Sequence, residues 1–283
     1  MKKTYSFYFS IFLLSVSGNL AAQCVKSCCQ SEAIYAFAGF AKEEQFRAGH
    51  DSPQPFHYDS EHGTMITFKT PDGATGKAFE IKAAKSTKNY LIVIQEWWGL
   101  NDYIKREAEK LQKDLGNVNV YAVDMYDGKI ATNRDTAGKY MEAFKQERGV
   151  AIIKGLIASF GAGAKVGSIG WCFGGGWSLQ TALIAGKDAV ACVMYYGMPE
   201  ENIDRLKTLN TDVLGIFAKE DKWISPEIVS KFEKNMSIAG EKVTVKMYNA
   251  DHAFANPSNP KYSKEMGDDA YKTSVKYLKE RFK

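Results

Sequence analysis

Apolar and polar residues recur in a regular pattern from residue 64 onwards, and this pattern predicts a succession of strands and helices. Residues 65–69 and 77–82 alternate between apolar and polar with a period of two, and residues 71–73 between them read Pro-Asp-Gly. The two segments are therefore predicted to form a β-hairpin of half-buried strands.

Beyond the hairpin, short apolar segments alternate with longer amphipathic ones. Residues 90–94 are continuously apolar, which is typical of a strand that is covered on both faces. We predict further strands over residues 118–123, 165–170, 189–195, 212–218 and 242–248, and helices over residues 101–115, 137–160 with a break at Gly149, 174–185, 226–239 and 262–282. This alternation indicates an α/β fold: a mostly parallel, doubly wound sheet with helices on both faces and an antiparallel hairpin at its N-terminal edge.

The first two dozen residues have the pattern of a secretory leader. A basic start is followed by a short apolar run with serines and then by Ala21 and Ala22, so we predict a signal peptide over residues 1–22 and a secreted or periplasmic protein. The apolar run is too short for a membrane span. A lipid anchor at Cys24 is a weaker alternative, since Gln23 stands where a small residue is favoured.

Residues 23–63 are predicted to form a cysteine-containing arm outside the fold, which leaves one domain over residues 64–283. Cys24, Cys28 and Cys29 lie close together in this arm. An oxidising compartment would allow a disulfide among them, and the chain offers no second ligand cluster beside them for a zinc site. The arm also carries three histidines that we expect at the surface, namely His50, His57 and His62.

Composition and charge exclude several classes of protein. Of the 283 residues, 45% are hydrophobic and 25% are charged, which is ordinary for a globular protein. The formal net charge of +4 is small, so neither nucleic acid nor an anionic membrane is expected as the main partner. The number of cysteines, five, is odd, so at least one thiol has no partner within the chain. Cys192 lies within a predicted strand and is expected to be a buried apolar filler.

The clearest local signal joins a predicted strand to a predicted helix through Gly170-Trp-Cys172-Phe-Gly174. A nucleophile elbow has this pattern, because glycines two residues from the nucleophile let the strand and the helix approach each other closely. The start of a helix also favours a thiolate. Cys172 is therefore a candidate nucleophile, although a glycine-rich turn around an inert cysteine has the same pattern.

Two later loops carry the other residues that a catalytic triad needs. Asp221 and His252 each follow a predicted strand, and the order nucleophile, acid, base is the one this fold uses. His252 would accept the thiol proton, and Asp221 would orient the imidazole ring. Asp251 and Glu220 are competing acids, but Asp251 is adjacent to His252 and would normally point away from its ring.

Four motifs stand at predicted strand ends: Q-E-W-W-G-L-N at 95–101, V-D-M-Y at 123–126, G-W-C-F-G-G at 170–175 and D-H-A-F at 251–254. Together they resemble the dienelactone hydrolase family of α/β-hydrolases over residues 64–283. The resemblance implies hydrolysis of a small ester or lactone through a thioester on Cys172, with His252 and Asp221 completing the triad and no metal or organic cofactor.

The resemblance also assigns roles around the nucleophile. It implies that Glu96 contacts the resting thiol and helps to form the thiolate when substrate binds. It implies that the backbone N–H groups of Trp97 and Phe173 form the oxyanion hole. The position of Phe173 at the start of a predicted helix supports this independently, because the amides there have no partner within the helix.

The residues expected to bind substrate match the family less well. Members that act on dienelactones hold the substrate carboxylate with two arginines. Arg134 would align with one of them, although an exposed arginine at a helix start has the same pattern, and Asn256 stands where the second is expected. A neutral ester or a different lactone is therefore an equally good candidate substrate. Further aromatic candidates for the pocket are Trp98, Tyr126 and Trp171, whereas Trp177 is expected in the core.

We therefore predict a carboxylic ester hydrolase that acts on a small molecule, as a monomer or a small homo-oligomer. The sequence leaves two other function classes open. One is a non-catalytic binding protein on a hydrolase scaffold, and the other is a thiol redox protein, suggested by the three N-terminal cysteines. Because an exposed thiolate oxidises readily, we also expect the resting Cys172 thiol to be held away from solvent near Glu96.

Overall fold

The computed structural model describes Met1 and residues 31–283, of which residues 31–283 form one compact unit. The predicted leader and the three N-terminal cysteines lie outside the described residues. The strands are β1 (Gly63–Lys69), β2 (Thr75–Ile81), β3 (Asn89–Ile94), β4 (Asn119–Val123), β5 (Lys165–Trp171), β6 (Ala189–Tyr195), β7 (Val213–Ala218) and β8 (Val243–Tyr248). The α-helices are α1 (Glu32–Gly39), α2 (Glu44–Ala48), α3 (Asp102–Leu115), α4 (Arg134–Ala143), α5 (Gln146–Ser159), α6 (Phe173–Ala185), α7 (Ile203–Leu206), α8 (Pro226–Ala239) and α9 (Lys264–Arg281).

These strands form one sheet in the order β1-β2-β4-β3-β5-β6-β7-β8. The pairs β1–β2 and β2–β4 are antiparallel, and the other neighbouring pairs are parallel. The predicted fold, a mostly parallel sheet with an antiparallel hairpin at one edge, is confirmed. The carboxyl ends of the parallel strands share one edge of the sheet, so the loops after β3, β5, β7 and β8 begin there.

Capping residues explain where individual helices begin and end. The Asn101 side chain accepts a hydrogen bond from the Ile104 amide at the start of α3, and Gly116 ends that helix with φ of 74°. Helix α8 begins with Pro226 and ends before Gly240, which has the left-handed φ of 81°. The predicted bounds of α8 are therefore confirmed at both ends.

The prediction of a single helix over residues 137–160 is wrong. The structure has two helices, α4 and α5, separated by Phe144 and Lys145. Gly149, the predicted break, lies inside α5, where a Cβ atom would come within 2.5 Å of the Trp177 ring. This glycine provides room for a neighbouring tryptophan and does not interrupt the helix.

The predicted arm differs from expectation in its described part, because α1 and α2 belong to the compact unit. Ile34, Phe37 and Phe46 are buried in the same core as the sheet. The spacing of Ile34 and Phe37 places both on one face of α1. His57 and His62 are exposed as expected, with 79% and 71% of their side-chain surface accessible.

Two predictions about the core are confirmed: Trp177 and Cys192 are fully buried. The described cysteines, Cys172 and Cys192, are both free thiols. Within residues 31–283, no helix combines the length and the apolar character that crossing a membrane requires.

Candidate active site

Cys172 occupies a sharp turn between β5 and α6, with φ of 57° and ψ of −116°. Residues other than glycine rarely adopt a positive φ, and such strain often marks a functional position. The flanking glycines make the turn sterically feasible. A Cβ atom on Gly170 would lie 2.1 Å from the Gly174 carbonyl oxygen, and one on Gly174 would lie 2.4 Å from the Gln95 carbonyl oxygen. The tight turn predicted from the glycine spacing is therefore present.

His252 and Asp221 form a buried pair. Nδ1 of His252 lies 2.6 Å from Oδ2 of Asp221, while Oδ1 of Asp221 accepts 2.9 Å hydrogen bonds from the amides of Trp223 and Ile224. Burial alone would raise the pKa of Asp221, but His252 and the two amides outweigh it and hold this pKa below its usual value. Asp221 is therefore ionised, and its Oδ2 accepts a hydrogen bond from the Nδ1–H group of the ring. The competing acids, Asp251 and Glu220, are exposed.

The thiol of Cys172 lies against this pair. Its Sγ atom is within 4.8 Å of a ring nitrogen of His252, and only 1% of the cysteine surface is accessible. Nε2 of His252 has no hydrogen-bond partner among the described residues. The structure thus brings the three predicted triad residues together, from the loops that follow β5, β7 and β8.

Burial keeps the Cys172 thiol protonated at rest. It raises the pKa of Cys172 well above the ordinary value, and the charge of Glu96 adds to this effect. The amides of Phe173 and Trp97 donate toward the sulfur and lower the pKa in part. The thiolate-favouring effect expected from the helix start is present, but the loss of water outweighs it. Both amides predicted for the oxyanion hole lie beside Sγ.

Glu96 lies in the loop after β3 and is 5% exposed. Burial raises the pKa of Glu96 to about 8, although Asn256 and Tyr196 lower it. Asn256 donates a short hydrogen bond from Nδ2 to Oε2 of Glu96, whereas Oε1 has no partner in the described part of the chain. The Tyr196 hydroxyl is close enough to affect the pKa, but it lacks the geometry of a full hydrogen bond. At neutral pH the Glu96 carboxyl is therefore mostly protonated.

The two positions aligned with substrate-binding arginines differ in placement. Asn256 lies in the site and holds Glu96, while its own Oδ1 accepts hydrogen bonds of 2.8 Å from the amide and the hydroxyl of Ser258. Arg134 is exposed at the start of α4 and does not line the cavity beside Glu96. Neither position presents a cation to that cavity.

The predicted aromatic residues lie in different parts of the site. Trp171 lines the cavity beside Glu96, together with Tyr195 and Asn256. Tyr126 packs 5.4 Å from the Phe173 ring between centroids, and burial followed by the charge of Cys172 raises the pKa of Tyr126, so its hydroxyl lies near the sulfur. Trp98 packs against Trp97, with ring centroids 4.9 Å apart.

His50 belongs to this site, and the prediction that it lies on the surface is wrong. It is 4% exposed, and its ring centroid lies 5.2 Å from that of His252 and 4.7 Å from that of Trp97. Burial, and then the charge of His252, lower the pKa of His50 to about 3. The amphipathic spacing in α1 and α2 is the sequence signal that could have indicated a buried N-terminal segment.

The parallel sheet and the nucleophile turn at its carboxyl edge define an α/β-hydrolase fold. The model of the dienelactone hydrolase family matches residues 77–282, and the chain belongs to this family. It is accordingly a carboxylic ester hydrolase.

Relatives and solved structures agree with this assignment. The chain is 30% identical over 207 residues to a carboxymethylenebutenolidase of a Pseudomonas species, covering 67% of this chain and 83% of that protein. It is 31% identical over 204 residues to the "Protein usf" of Aquifex pyrophilus, covering 67% of this chain and 87% of that protein. A dienelactone hydrolase-like promiscuous phosphotriesterase from metagenomic libraries has the same fold, with a TM-score of 0.67 at 20% identity over 78% of this chain and 100% of that one.

Proposed function

We propose that the protein hydrolyses small neutral esters or lactones through a thioester on Cys172. The observation that carries this proposal is the buried Asp221–His252 pair. Nε2 of His252 has no partner among the described residues, and one ring nitrogen of His252 lies within 4.8 Å of the Cys172 sulfur. An imidazole held in one tautomer by a carboxylate is suited to accept the proton of a neighbouring thiol.

Acylation follows from these positions. Nε2 of His252 accepts the thiol proton while Sγ attacks the substrate carbonyl carbon, and the carbonyl oxygen becomes an oxyanion. The amides of Trp97 and Phe173, which already donate toward the sulfur, are placed to donate to that oxyanion. The oxyanion then collapses, the C–O bond to the leaving group breaks, and the leaving oxygen takes the proton from His252.

Hydrolysis of the thioester reverses these roles. Water gives a proton to His252 as its oxygen attacks the thioester carbon, and the same two amides hold the second oxyanion. Collapse breaks the C–S bond, and the sulfur recovers its proton from His252. One ester bond and one water molecule are consumed, and the enzyme returns to the resting thiol.

Glu96 is proposed as a second proton acceptor for the thiol. Its pKa of about 8 makes its anion a stronger base than an ordinary carboxylate, and its Oε1 has no partner in the described chain. Only the ionised fraction of Glu96 can take the thiol proton at neutral pH. Once it has done so it is neutral, so its charge no longer raises the pKa of Cys172.

The choice of a neutral substrate rests on the two positions where family members that act on dienelactones carry arginines, although Lys110 does line the cavity beside Glu96. Asn256 is engaged with Glu96, and Arg134 does not line the cavity, so a substrate carboxylate would find neither arginine there. The secreted or periplasmic location is also a proposal, supported by the leader-like pattern of residues 1–22.

The nucleophile is tested with Cys172→Ala and with Cys192→Ala as a matched buried-cysteine control. With p-nitrophenyl acetate, we expect Cys172→Ala to lose more than about a thousandfold in kcat/KM, because the thioester can no longer form. Cys192→Ala should retain most activity, since Cys192 lies within β6. Turnover by Cys172→Ala at the wild-type rate would show that another group attacks the ester.

The role of Asp221 is tested with Asp221→Asn. The amide carries no charge to stabilise the imidazolium, and its NH₂ group can donate to Nδ1 and favour the wrong ring tautomer. We therefore expect kcat to fall about 10²- to 10⁴-fold with a smaller effect on KM. Glu220→Gln changes the adjacent exposed acid and should leave kcat near the wild-type value. Equal losses in the two variants would contradict a specific role for Asp221.

A further inference from the structure

A second histidine faces the nucleophile, and the three side chains form a compact set of metal-ligand atoms. One ring nitrogen of His50, one of His252 and Sγ of Cys172 all lie within 4.8 Å of one another, and all three residues are buried. We propose that these residues bind one Zn²⁺ ion, which reversibly blocks the nucleophile.

The ligand types and their spacing fit zinc. Zn²⁺ is bound by imidazole nitrogen and thiolate sulfur in tetrahedral sites, and three protein ligands leave the fourth position for water. Bond lengths of about 2.0–2.1 Å to nitrogen and 2.3 Å to sulfur place tetrahedral ligands about 3.3–3.6 Å apart. Side-chain shifts of about 1 Å would therefore bring the two ring nitrogens and Sγ to the spacing that a zinc ion requires.

Both histidines are already held as metal ligands usually are. Zinc-bound histidines generally donate their other ring N–H group to a carboxylate or a backbone carbonyl. Nδ1 of His252 lies 2.6 Å from the Asp221 carboxylate, and Nδ1 of His50 lies 2.6 Å from the Phe46 carbonyl oxygen. Since both partners can only accept, each Nδ1 carries the proton and each Nε2 presents a lone pair.

The hydrogen bonds of the described residues leave these lone pairs unsatisfied. Nε2 of His50 and Nε2 of His252 have no hydrogen-bond partner among the described residues, and two acceptors cannot bond to each other. The one S–H group of Cys172 can donate to only one of them. A buried polar atom without a partner is costly, and a cation would engage both nitrogens together with the sulfur.

The charges around the cluster suit a divalent cation. When zinc binds, the thiol loses its proton to solvent and the Zn–S bond forms, so the ion and the thiolate together carry one positive charge. The Asp221 carboxylate, 2.6 Å from Nδ1 of His252, lies close enough to balance that charge.

Metal binding and hydrolysis exclude each other in this arrangement. Coordination would occupy both Sγ, the proposed nucleophile, and Nε2 of His252, the proposed base. The ion is thus an inhibitor of the proposed reaction, and binding is measured without reference to activity.

The test is a zinc titration in competition with a chromophoric chelator, with cobalt as a spectroscopic probe. The full chain is used with Cys24, Cys28 and Cys29 replaced by serine, because those thiols could bind metal themselves. We expect one Zn²⁺ per chain and, with Co²⁺, a thiolate-to-metal charge-transfer band. In this background, Cys172→Ser should abolish the band, and His50→Gln should weaken zinc binding more than about 100-fold.

Matched controls use a residue of the same type outside the cluster. His57→Gln removes an exposed histidine of the same N-terminal segment, and Cys192→Ser removes the other described thiol, so neither should change the zinc affinity. Unchanged affinity in His50→Gln would overturn the proposal, as would a charge-transfer band that persists in Cys172→Ser.

A second measurement requires no substitution within residues 31–283. In the chain with Cys24, Cys28 and Cys29 replaced by serine, one equivalent of Zn²⁺ should slow alkylation of Cys172 by iodoacetamide, read by mass spectrometry of its peptide, and a chelator should restore the rate. Equal alkylation rates with and without zinc would overturn the proposal. A protein that binds zinc in this way but hydrolyses no ester would leave the metal site standing and contradict only the proposed function.

Discussion

Glu96 shows how one buried side chain couples ionisation to stability. The pKa of the carboxyl is raised by burial to about 8 in the folded protein, against an ordinary value of 4.5. Between these values the folded state binds a proton that the unfolded chain has released. The free energy of unfolding therefore falls as the pH rises through this window.

Glu96→Gln removes the ionisable group and keeps the side-chain shape. Between pH 5 and pH 8 we expect the free energy of unfolding of wild type to fall by about 1–3 kcal/mol more than that of this variant. The reason is that only wild type has a carboxyl group that is protonated when folded and ionised when unfolded. Urea unfolding at several pH values measures the difference. Glu220→Gln, at an exposed position, serves as the control. Parallel stability curves for wild type and Glu96→Gln would contradict the raised pKa.

Single residues also show what the sequence could and could not predict about the site. Cys172, Asp221 and His252 were found because a motif and two strand ends identify them, and the structure brings them together. The contact between Asn256 and Glu96 was not predicted, since a side-chain hydrogen bond across 160 residues depends on tertiary packing. The burial of His50 was missed for the same reason.

Among the secondary-structure elements, the junction of β3, β5 and α6 fixes the position of the nucleophile. A Cβ atom on Gly174 would lie 2.4 Å from the carbonyl oxygens of both Ile94 and Gln95. Backbone atoms cannot move aside as flexible side chains can. The start of α6 therefore touches the end of β3 only because residue 174 has no side chain.

Gly174→Ala should force α6 away from β3. We expect a loss of about 3 kcal/mol or more in the free energy of unfolding, measured by urea denaturation, together with reduced hydrolysis. Gly39→Ala is the matched control, because Gly39 ends helix α1 and has no atom within 4 Å of its added Cβ position. Its stability should stay within about 1 kcal/mol of wild type. Similar stabilities for the two variants would contradict the steric requirement at Gly174.

Local sequence signals predicted whether a segment is a helix or a strand better than they predicted where some of the helices begin and end. The caps of α3 and α8 were visible in the sequence, because asparagine, proline and glycine act on the backbone beside them. The division between α4 and α5 was misplaced, since Gly149 could be read as a helix breaker. Its actual role depends on Trp177, a residue of another helix.

In the compact unit as a whole, the order of the strands brings the catalytic loops together, and the N-terminal segment packs against the residues that these loops carry. Parallel strands bring the loops that carry Glu96, Cys172, Asp221 and His252 to one edge, which the alternating pattern predicted. Helix α2 adds Phe46 from far along the chain. Its amphipathic spacing indicates a buried face, but it does not indicate which part of the core that face contacts. Phe46 is fully buried, and its ring centroid lies 5.3 Å from that of Trp97, 5.2 Å from that of Trp223 and 6.4 Å from that of His252.

From this packing against Trp97 and His252 we expect the N-terminal segment to limit access to the thiol. Phe46→Ala should weaken the packing of α2 over the site, since truncating a buried phenylalanine costs about 3–5 kcal/mol. We expect alkylation of Cys172 by iodoacetamide, followed by mass spectrometry, to accelerate more than about tenfold, the factor that about 1.4 kcal/mol of easier opening produces. Phe56→Ala, at a position that is 36% exposed, should leave the rate unchanged. A lower melting temperature without faster labelling would mean that Phe46 stabilises the fold without controlling access to Cys172.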